Sequence, residues 1–275
     1  MTLSNFLKLA PKSGPAILHI DIETFPIVAY VWSLWKQNVG LNQIVQDWSM
    51  MSFAAEWDHR NEQFYIDSRH KKNPRDEKHQ LTALWRLLDR ADLIVARNGK
   101  KFDIRKIKAK LAEHGFAPFS PVKVIDPMLL NREEFAFTSQ KLEYTTGIIV
   151  PELRKSLHSN FPGFELWAAC LKHDPLAWEE CEAYNRQDVT SMKAEYHKLR
   201  GWYSKHPNIA IYFKGEPDEH TCNVCGSQEL QKLKQPARTQ VGIYEQFVCL
   251  NCGNHSRGRS LIADKHERAH VTVPA

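Results

Sequence analysis

The sequence lacks the features of a membrane-spanning or secreted protein. No apolar run approaches the roughly 20 residues that a membrane-spanning helix needs. The first residues, Met1 to Ala10, have no charged start, no sustained apolar core and no small-residue cleavage site. We therefore expect the chain to stay in the cytosol, without a membrane partner. Internal repeats and low-complexity stretches are also absent, which excludes fibrous and repeat proteins.

A large excess of charge of one sign is also missing. The 37 Lys and Arg residues outnumber the 32 Asp and Glu residues by five, a bias that permits a polyanionic partner without requiring one. Their distribution is more informative, because seven Lys and Arg residues surround a single acid, Asp103, between Arg97 and Lys110. One carboxylate inside a basic run is unusual for a solvated surface.

The hydrophobic pattern predicts an α/β domain built on a mixed sheet. Short apolar or β-branched segments predict strands over 16–22, 27–34, 48–57, 63–67, 92–96 and 122–125. Helical spacing predicts helices over 76–90, 103–114 and 175–199. Strands come first and then alternate with helices, which is typical of an α/β fold. Residues 200–221 contain Gly and Pro and predict a linker, so we place the boundary between two domains, 1–214 and 215–275.

Two carboxylates, Asp21 and Glu23, stand at the end of the first predicted strand. Residues i and i+2 of a strand share a face, so both side chains project together. Burying them without partners would be costly. For a D-x-E triplet taken alone, a turn at the strand end remains the commoner explanation.

Two further acids lie on predicted helices. Asp103 opens a helix after a strand and a loop, where Asp is also a preferred N-cap. Tyr184 and Asp188 are four residues apart on the longest helix and therefore share a face, on which they can hold a water molecule. For that pair taken alone, a core tyrosine beside a surface aspartate remains the commoner explanation.

Considered together, the four acids predict a metal site. Carboxylates that three separate elements bring together repel one another unless divalent cations neutralise them. Oxygen ligands favour Mg²⁺ or Mn²⁺. Two such ions about 3.5–4 Å apart can activate a water molecule and stabilise the leaving oxygen at a phosphorus centre.

The three motifs resemble those of the DEDD-type 3′→5′ exonucleases, which have an RNase H-like fold and include polymerase proofreading domains. The first motif of that family, D-x-E, corresponds to 21–23, and the second, an Asn-containing loop that ends in Phe-Asp, corresponds to 98–103. The third, Y-x-x-x-D, corresponds to 184–188; Ala183 stands where the other subclass has histidine, so the tyrosine subclass is implied. The resemblance covers residues 16–200 and extends less specifically to phage proteins.

The resemblance implies a fold, a cofactor and a set of site residues. The fold would be an RNase H-like mixed five-stranded sheet flanked by helices. Two Mg²⁺ or Mn²⁺ ions would be held by Asp21, Glu23, Asp103 and Asp188. Tyr184 would orient the attacking water. Substrate contacts would come from Thr24, Phe25, Asn98, Lys101 and Lys106. Each of these roles has an equal alternative. Phe25 could pack in the core, Asn98 could brace the loop, and the lysines could form a solvated basic face. Lys106 and Lys110 share one face of the helix.

The six cysteines are few, and four form two C-x-x-C pairs, Cys222 with Cys225 and Cys249 with Cys252. In a chain without a secretory signal, this spacing indicates a metal rather than disulfides. Each pair precedes a glycine, which suits a tight turn. Two such turns complete a closed Cys₄ site for one structural Zn²⁺ and resemble a zinc ribbon over 215–275. Ribbons bind nucleic acid or protein, and this sequence does not choose between them.

These features predict a two-metal 3′→5′ exonuclease that converts single-stranded DNA ends to nucleoside 5′-monophosphates. Such an enzyme serves replication proofreading or repair, and a partner polymerase is plausible because the chain has no room for a polymerase domain. An RNA exonuclease or a structure-specific endonuclease on the same fold is the closest alternative. A non-catalytic nucleic-acid-binding module is the alternative from another class, although all four acids and the tyrosine are present.

Overall fold

The computed structural model describes residues 1–153, 160–214, 220–240 and 242–272. The predicted boundary at residue 215 lies outside these ranges, so the division into 1–214 and 215–275 stays a prediction. Within the described residues, no helix combines the length and the apolar character that crossing a membrane would require.

Seven strands lie in the described part of the first 200 residues. They are β1 (Ile17–Phe25), β2 (Val28–Ala29), β3 (Ile44–Gln46), β4 (Ser49–Trp57), β5 (Gln63–Asp67), β6 (Leu93–Val95) and β7 (Lys123–Ile125). Five of them form one sheet in the order β5-β4-β1-β6-β7. Strand β1 pairs antiparallel with β4 and parallel with β6, so the sheet is mixed, as predicted. Because β1 and β6 are parallel, their carboxyl ends meet at the same edge of the sheet.

Helices cover both faces of this sheet. They are α1 (Leu3–Lys8), α2 (Lys78–Arg90), α3 (Asp103–Glu113), α4 (Pro127–Glu134), α5 (Leu142–Ile149), α6 (Glu165–Leu171) and α7 (Pro175–Leu199). Residues of α1, α2 and α3 pack with Ile20 and Ile22 of β1 on one face. On the other face, Ile17 packs with α4 and α7, and Phe25 packs with α6 and the start of α7. Alternation along β1 therefore turns Asp21 and Glu23 toward α7.

The structure confirms most of the predicted elements and corrects one. Helix α7 and strand β5 have the predicted bounds. The predicted strand 27–34 is wrong, because only Val28–Ala29 are extended and paired, with β3. Residues 26–47 instead form an excursion from the sheet, which we name the arm. The residues that suggested a strand are largely exposed here: Trp32 is 97% exposed. Helices α1, α4, α5 and α6 were not predicted.

The cysteine-rich tail forms a small antiparallel sheet. Its strands are β8 (Leu230–Lys232), β9 (Ala237–Thr239), β10 (Gly242–Cys249) and β11 (His255–Leu261), with β10 paired to all three others. This sheet lies directly against the end of α7. A side chain at Gly201 would collide with the carbonyl oxygen of Cys252, and the amide of Ile209 donates to the carbonyl of Asn223 at 2.8 Å. Residues 200–214 of the predicted linker are thus packed rather than loose.

Candidate metal centre

Strand β1 and helix α3 bring the first two motifs into direct contact. The amide of Ile22, between Asp21 and Glu23, donates to Oδ1 of Asp103 at 3.2 Å. Asp103 is the first residue of α3 and is only 3% exposed. Its carboxylate therefore lies at the positive end of that helix, beside the carboxyl end of β1.

Helix α7 supplies the third motif from the other side of β1. The side-chain amide of Asn185 donates to Oδ2 of Asp21 at 2.6 Å and to the Asp21 carbonyl at 3.1 Å. One turn of helix separates Tyr184 from Asp188, and these two side chains are hydrogen bonded. Since Asn185 fixes α7 against β1, the helix presents its tyrosine and aspartate to the same acidic group.

The four predicted acids share one electrostatic environment. Burial raises the pKa of Asp21 well above its ordinary value, and the charges of Asp188, Asp103 and Glu23 raise it further; the bond from Asn185 only partly opposes them. Burial also raises the pKa of Asp103 to about 7, although hydrogen bonds from backbone amides stabilise its charged form. The structure thus brings together carboxylates from β1, α3 and α7.

This crowding fits divalent cations. Within the described part of the chain, neither Asp21 nor Asp103 forms an ion pair with a Lys, Arg or His side chain. A doubly charged ion is the counter-charge that carboxylate oxygens select, and both Mg²⁺ and Mn²⁺ accept such ligands. The donor set of Asp21, Glu23, Asp103 and Asp188 is therefore suited to hold such ions.

Tyr184 remains protonated in this environment. Burial raises the pKa of its hydroxyl, and the negative charges of Asp188, Glu23 and Asp21 raise it further. A tyrosine held above its ordinary pKa of about 10 cannot act as a base near neutral pH. It can donate a hydrogen bond and orient a water molecule.

Two residues support the acids but were missed by sequence reasoning. Asn185 is fully buried and fixes Asp21, as described. The indole Nε1 of Trp167, on α6, donates to Oε2 of Glu23 at 3.1 Å. Asn185 lies inside the third motif, so its position could have suggested a role. Trp167 is 144 residues from its partner in the chain, and no local pattern indicates the contact.

The loop before α3 is braced from the end of β7. Asp126 accepts hydrogen bonds from the amides of Asn98, at 2.9 Å, and Lys100, at 3.2 Å. Asn98 has a left-handed backbone with φ of 56°, a conformation that Asn tolerates better than most residues. The backbone of Asn98 therefore shapes the loop that delivers Asp103.

The remaining predicted substrate residues occupy different environments. Thr24 is half-buried and pairs with Met50 across the β1–β4 ladder. Phe25 is fully buried and packs edge-on against Trp178 at 6.0 Å, so its ring belongs to the core. Lys101 is exposed in the loop before α3.

The basic run is only partly available to a ligand. The Nζ atom of Lys106 lies 3.8 Å from the ring centre of Trp48, and Lys110 lies 4.5 Å from the same ring. The two lysines share a face, as expected, but Lys110 is buried and paired with Glu113 at 2.8 Å. The ammonium of Lys110 therefore already has a carboxylate partner.

The four paired cysteines converge in the tail. Sγ of Cys222 lies 3.7 Å from that of Cys252, Sγ of Cys225 lies 3.5 Å from that of Cys249, and all four lie within 4.8 Å of one another. These separations exclude disulfides, which need about 2.05 Å. Four Zn–S bonds of about 2.3 Å in a tetrahedron place sulfurs about 3.8 Å apart. The tail could thus hold a structural zinc ion.

The turns of this Cys₄ cluster follow the predicted pattern. Gly226 and Gly253 have φ of 75° and 74°, which a residue without Cβ adopts without strain. His255, three residues after Cys252, is exposed. The two cysteines outside the pairs, Cys170 and Cys181, are buried on α6 and α7.

A second cluster of potential ligands lies farther along β1 and α7. Nε2 of His19 and Nε2 of His197 lie 2.8 and 2.6 Å from Oδ1 of Asp58. Arg200 approaches the other oxygen of Asp58 to 3.9 Å. Two imidazoles and a guanidinium thus surround this carboxylate, while the buried Nδ1 of His19 and the buried Nε of Arg200 have no hydrogen-bond partner among the described residues.

Comparisons with known proteins agree with this architecture. A family model described as RNase_H superfamily matches residues 40–200, more than half of the chain, and the RNase H-like fold predicted from the motifs is confirmed. No curated protein matches the chain. One similar solved structure is the family B DNA polymerase from the hyperthermophilic archaeon Pyrobaculum calidifontis, with 13% identity and a TM-score of 0.47 over 68% of this chain. The match spans 25% of that polymerase.

Proposed function

The chain belongs to the RNase_H superfamily, and we propose that within it the protein is a 3′→5′ exonuclease acting on single-stranded DNA. The observation that carries the proposal is the mutual electrostatic influence of Asp21, Glu23, Asp103 and Asp188, which lie close together although three elements carry them. Their order along the chain, with Tyr184 one turn before the last, matches the tyrosine subclass of DEDD exonucleases. The products would be nucleoside 5′-monophosphates and a shortened strand.

The four carboxylates would hold two Mg²⁺ or Mn²⁺ ions. When bound, such ions lower the pKa of water and stabilise charge on the leaving oxygen. The protein contributes the position of each ligand. Asn185 orients Asp21, the Trp167 indole orients Glu23, and the amide of Ile22 holds Asp103.

The tyrosine supplies orientation rather than a base. Because its hydroxyl stays protonated and donates to the Asp188 carboxylate, the Tyr184 oxygen can accept a hydrogen bond from the attacking water and align it. Lys101, exposed in the loop before α3, is placed to approach the phosphate backbone of the strand. Such contacts fix the strand without reading its sequence.

Removal of a 3′-terminal nucleotide suits replication proofreading or repair. A polymerase would be the natural partner in that setting. The cysteine-rich tail, with its single Zn²⁺ and its contact to the end of α7, would hold the strand or that partner.

The proposal is tested with a single-stranded DNA oligonucleotide labelled at its 5′ end. With Mg²⁺ or Mn²⁺ we expect a ladder that shortens from the 3′ end, and we expect none with EDTA or with the Asp21→Ala/Glu23→Ala variant. The Glu133→Gln variant, which alters an exposed acid on α4, should retain full activity.

Each other outcome has a defined meaning. Faster degradation of an RNA strand would make the enzyme an RNA exonuclease. Internal cuts would make it an endonuclease. Binding without cleavage of DNA or RNA, with either metal, would leave a non-catalytic nucleic-acid-binding module and overturn the proposal.

A further inference from the structure

The arm, residues 26–47, exposes an unusual amount of aromatic surface. Tyr30 is 76% exposed, Trp32 97% and Trp35 82%. Isolated exposed apolar residues are common, but three aromatic side chains within six residues form a patch that marks an interaction site. Two aliphatic side chains of the arm are as exposed, Leu34 at 86% and Leu41 at 89%.

The base of the arm is fixed next to β1, the strand that carries Asp21 and Glu23. The guanidinium of Arg75 donates to the carbonyl of Pro26 at 2.9 Å and to that of Asp47 at 2.8 Å, so it ties the two ends of the arm together. The same guanidinium lies over the ring of Phe25, at 5.5 Å. Phe25 is two residues beyond Glu23 on β1. The arm therefore leaves the sheet at the edge where the acids lie, within about 10 Å of Glu23 along an extended chain.

The tip of the arm has a defined shape. The hydroxyl of Ser33 donates to the carbonyl of Trp35 at 3.3 Å, and the side-chain amide of Gln37 donates to the same carbonyl at 3.1 Å. Gln37 also donates to the hydroxyl of Ser33. These bonds hold the turn between Trp32 and Trp35, and both indoles stay on its outside.

The charges around the arm favour a polyanion as its partner. The arm contains one cation, exposed Lys36, and one acid, Asp47 at its base. Directly after the arm, Trp48 lies against the ammonium group of Lys106, which is 3.8 Å from its ring centre. The exposed Lys101 lies in the loop that leads to α3. Exposed aromatic rings beside a cationic track are the combination that binds single-stranded nucleic acid, with bases stacked on the rings and phosphates near the cations.

We propose that the arm is a base-stacking platform on which Trp32, Trp35 and Tyr30 hold the single-stranded DNA just upstream of the 3′ end presented to the acids. This inference rests on the proposed function and deepens it. Stacking tolerates any base, so the platform would hold strands of any sequence. Its fixed base would keep the strand aligned with β1.

The test compares variants of the full-length protein in binding fluorescein-labelled dT20, measured by fluorescence anisotropy in EDTA so that the strand is not degraded. We expect Trp32→Ala/Trp35→Ala to weaken binding at least tenfold. Trp32→Phe/Trp35→Phe should restore most of the affinity, because phenylalanine also stacks. Leu34→Ala/Leu41→Ala is the matched control and should bind as the wild type does, since it removes equally exposed side chains that cannot stack.

A second substrate separates this inference from the proposed function. The p-nitrophenyl ester of thymidine 5′-monophosphate offers the acids one nucleotide and does not reach the arm. We expect Trp32→Ala/Trp35→Ala to hydrolyse it at the wild-type rate while degrading dT20 at least tenfold more slowly at low concentration. If the wild type hydrolyses neither substrate, the proposed function fails. The anisotropy comparison of wild type and Trp32→Ala/Trp35→Ala then still tests whether the arm binds single-stranded DNA.

Two results would overturn the platform. One is equal affinity of the wild type and Trp32→Ala/Trp35→Ala for dT20. The other is an equal loss of affinity in Leu34→Ala/Leu41→Ala, which would show unspecific apolar contact. If the tryptophan variant instead converts a dimer to a monomer in light scattering while its DNA affinity is unchanged, the arm binds a second copy of the chain.

Discussion

The side-chain amide of Asn185 holds Asp21 through two hydrogen bonds, one to its carboxylate and one to its carbonyl. The same asparagine accepts a bond from the hydroxyl of Ser52 at 3.3 Å. Asn185 thus connects α7 to the central strand at the point where the acids meet. It acts through Asp21 and is a positioning residue.

Asn185→Ala should lower kcat by about 10–100-fold, the usual effect of removing a residue that orients a metal ligand. The variant should also need more Mn²⁺ for half-maximal rate, because Asp21 would no longer be fixed. A metal titration of the initial rate measures both effects.

Ser52→Ala is the control for this prediction. It removes the other hydrogen bond of Asn185 and leaves the contact with Asp21. Its rate and its metal requirement should stay within about threefold of the wild type. Equal metal titration curves for Asn185→Ala and the wild type would show that Asn185 serves packing alone.

Asp21→Asn should stabilise the metal-free protein while abolishing its activity. The raised pKa of Asp21 means that the folded protein disfavours its charged form, so at pH 8 the charge costs stability. Asparagine removes the repulsion and can still accept from Asn185. In EDTA at pH 8 the thermal midpoint should rise by a few degrees.

The same variant should lose its response to metal. An excess of Mn²⁺ should raise the midpoint of the wild type, since a ligand of the folded state stabilises it by about 2.7 kcal/mol at 100 times its Kd. Asp21→Asn should respond much less, whereas Glu133→Gln should respond fully. If Mn²⁺ left the thermal midpoint of the wild type unchanged, this result would argue against cation binding by these acids.

Cys249→Ser should remove the zinc ion. Elemental analysis of the wild type should give one zinc per chain, and the variant should give close to none because the tetrahedral set is incomplete. Cys170→Ala, at a buried cysteine outside the cluster, should retain the zinc. The zinc-free tail should also be cut faster by trypsin, because so small a sheet has little core. One zinc in the purified Cys249→Ser variant would place the metal elsewhere.

Asp58→Asn should destabilise the protein in a pH-dependent way. Burial opposes the charge of Asp58, but hydrogen bonds from His19 and His197 outweigh it and hold the pKa of this carboxyl far below its ordinary value. A lowered pKa adds stability above the unfolded value of about 3.8, and this contribution is lost as the pH falls further. Unfolding in urea at pH 7 should show a loss of about 3 kcal/mol, the usual effect of breaking a buried pair.

The difference between Asp58→Asn and the wild type should shrink below pH 4, because Asp58 of the unfolded wild type then binds a proton while the folded carboxylate keeps its charge. The wild type should therefore show the steeper loss of stability between pH 5 and pH 3. A constant difference over this range would mean that Asp58 contributes through shape rather than charge.

Local patterns predicted the elements that carry the three motifs. Helix α7 has the predicted bounds, and β1 is a mainly apolar strand that carries two acids, Asp21 and Glu23, in its second half. Each motif fits within a few residues, so one sequence suffices to place it. The parallel pairing of β1 with β6 then brings the first two motifs to one edge of the sheet.

Long-range contacts could not be predicted in this way. The bond from Trp167 to Glu23 and the bonds from Arg75 to the arm join segments that nothing in the sequence relates. Residues 27–34 of the arm were predicted as a strand because aromatic and β-branched residues are enriched in strands. The ion pair between Lys110 and Glu77, at 3.6 Å, likewise joins residues 33 positions apart, and no local pattern indicates it.

The central claim is that four carboxylates form a site for two divalent ions, and a crystal soaked in Mn²⁺ tests it most directly. The anomalous difference map should show two peaks about 3.5–4 Å apart, bounded by Asp21, Glu23, Asp103 and Asp188. The same soak of an Asp21→Asn/Asp188→Asn crystal should show neither peak. A wild-type map with no peak among these four side chains, at a manganese concentration that supports strand cleavage, would contradict the account.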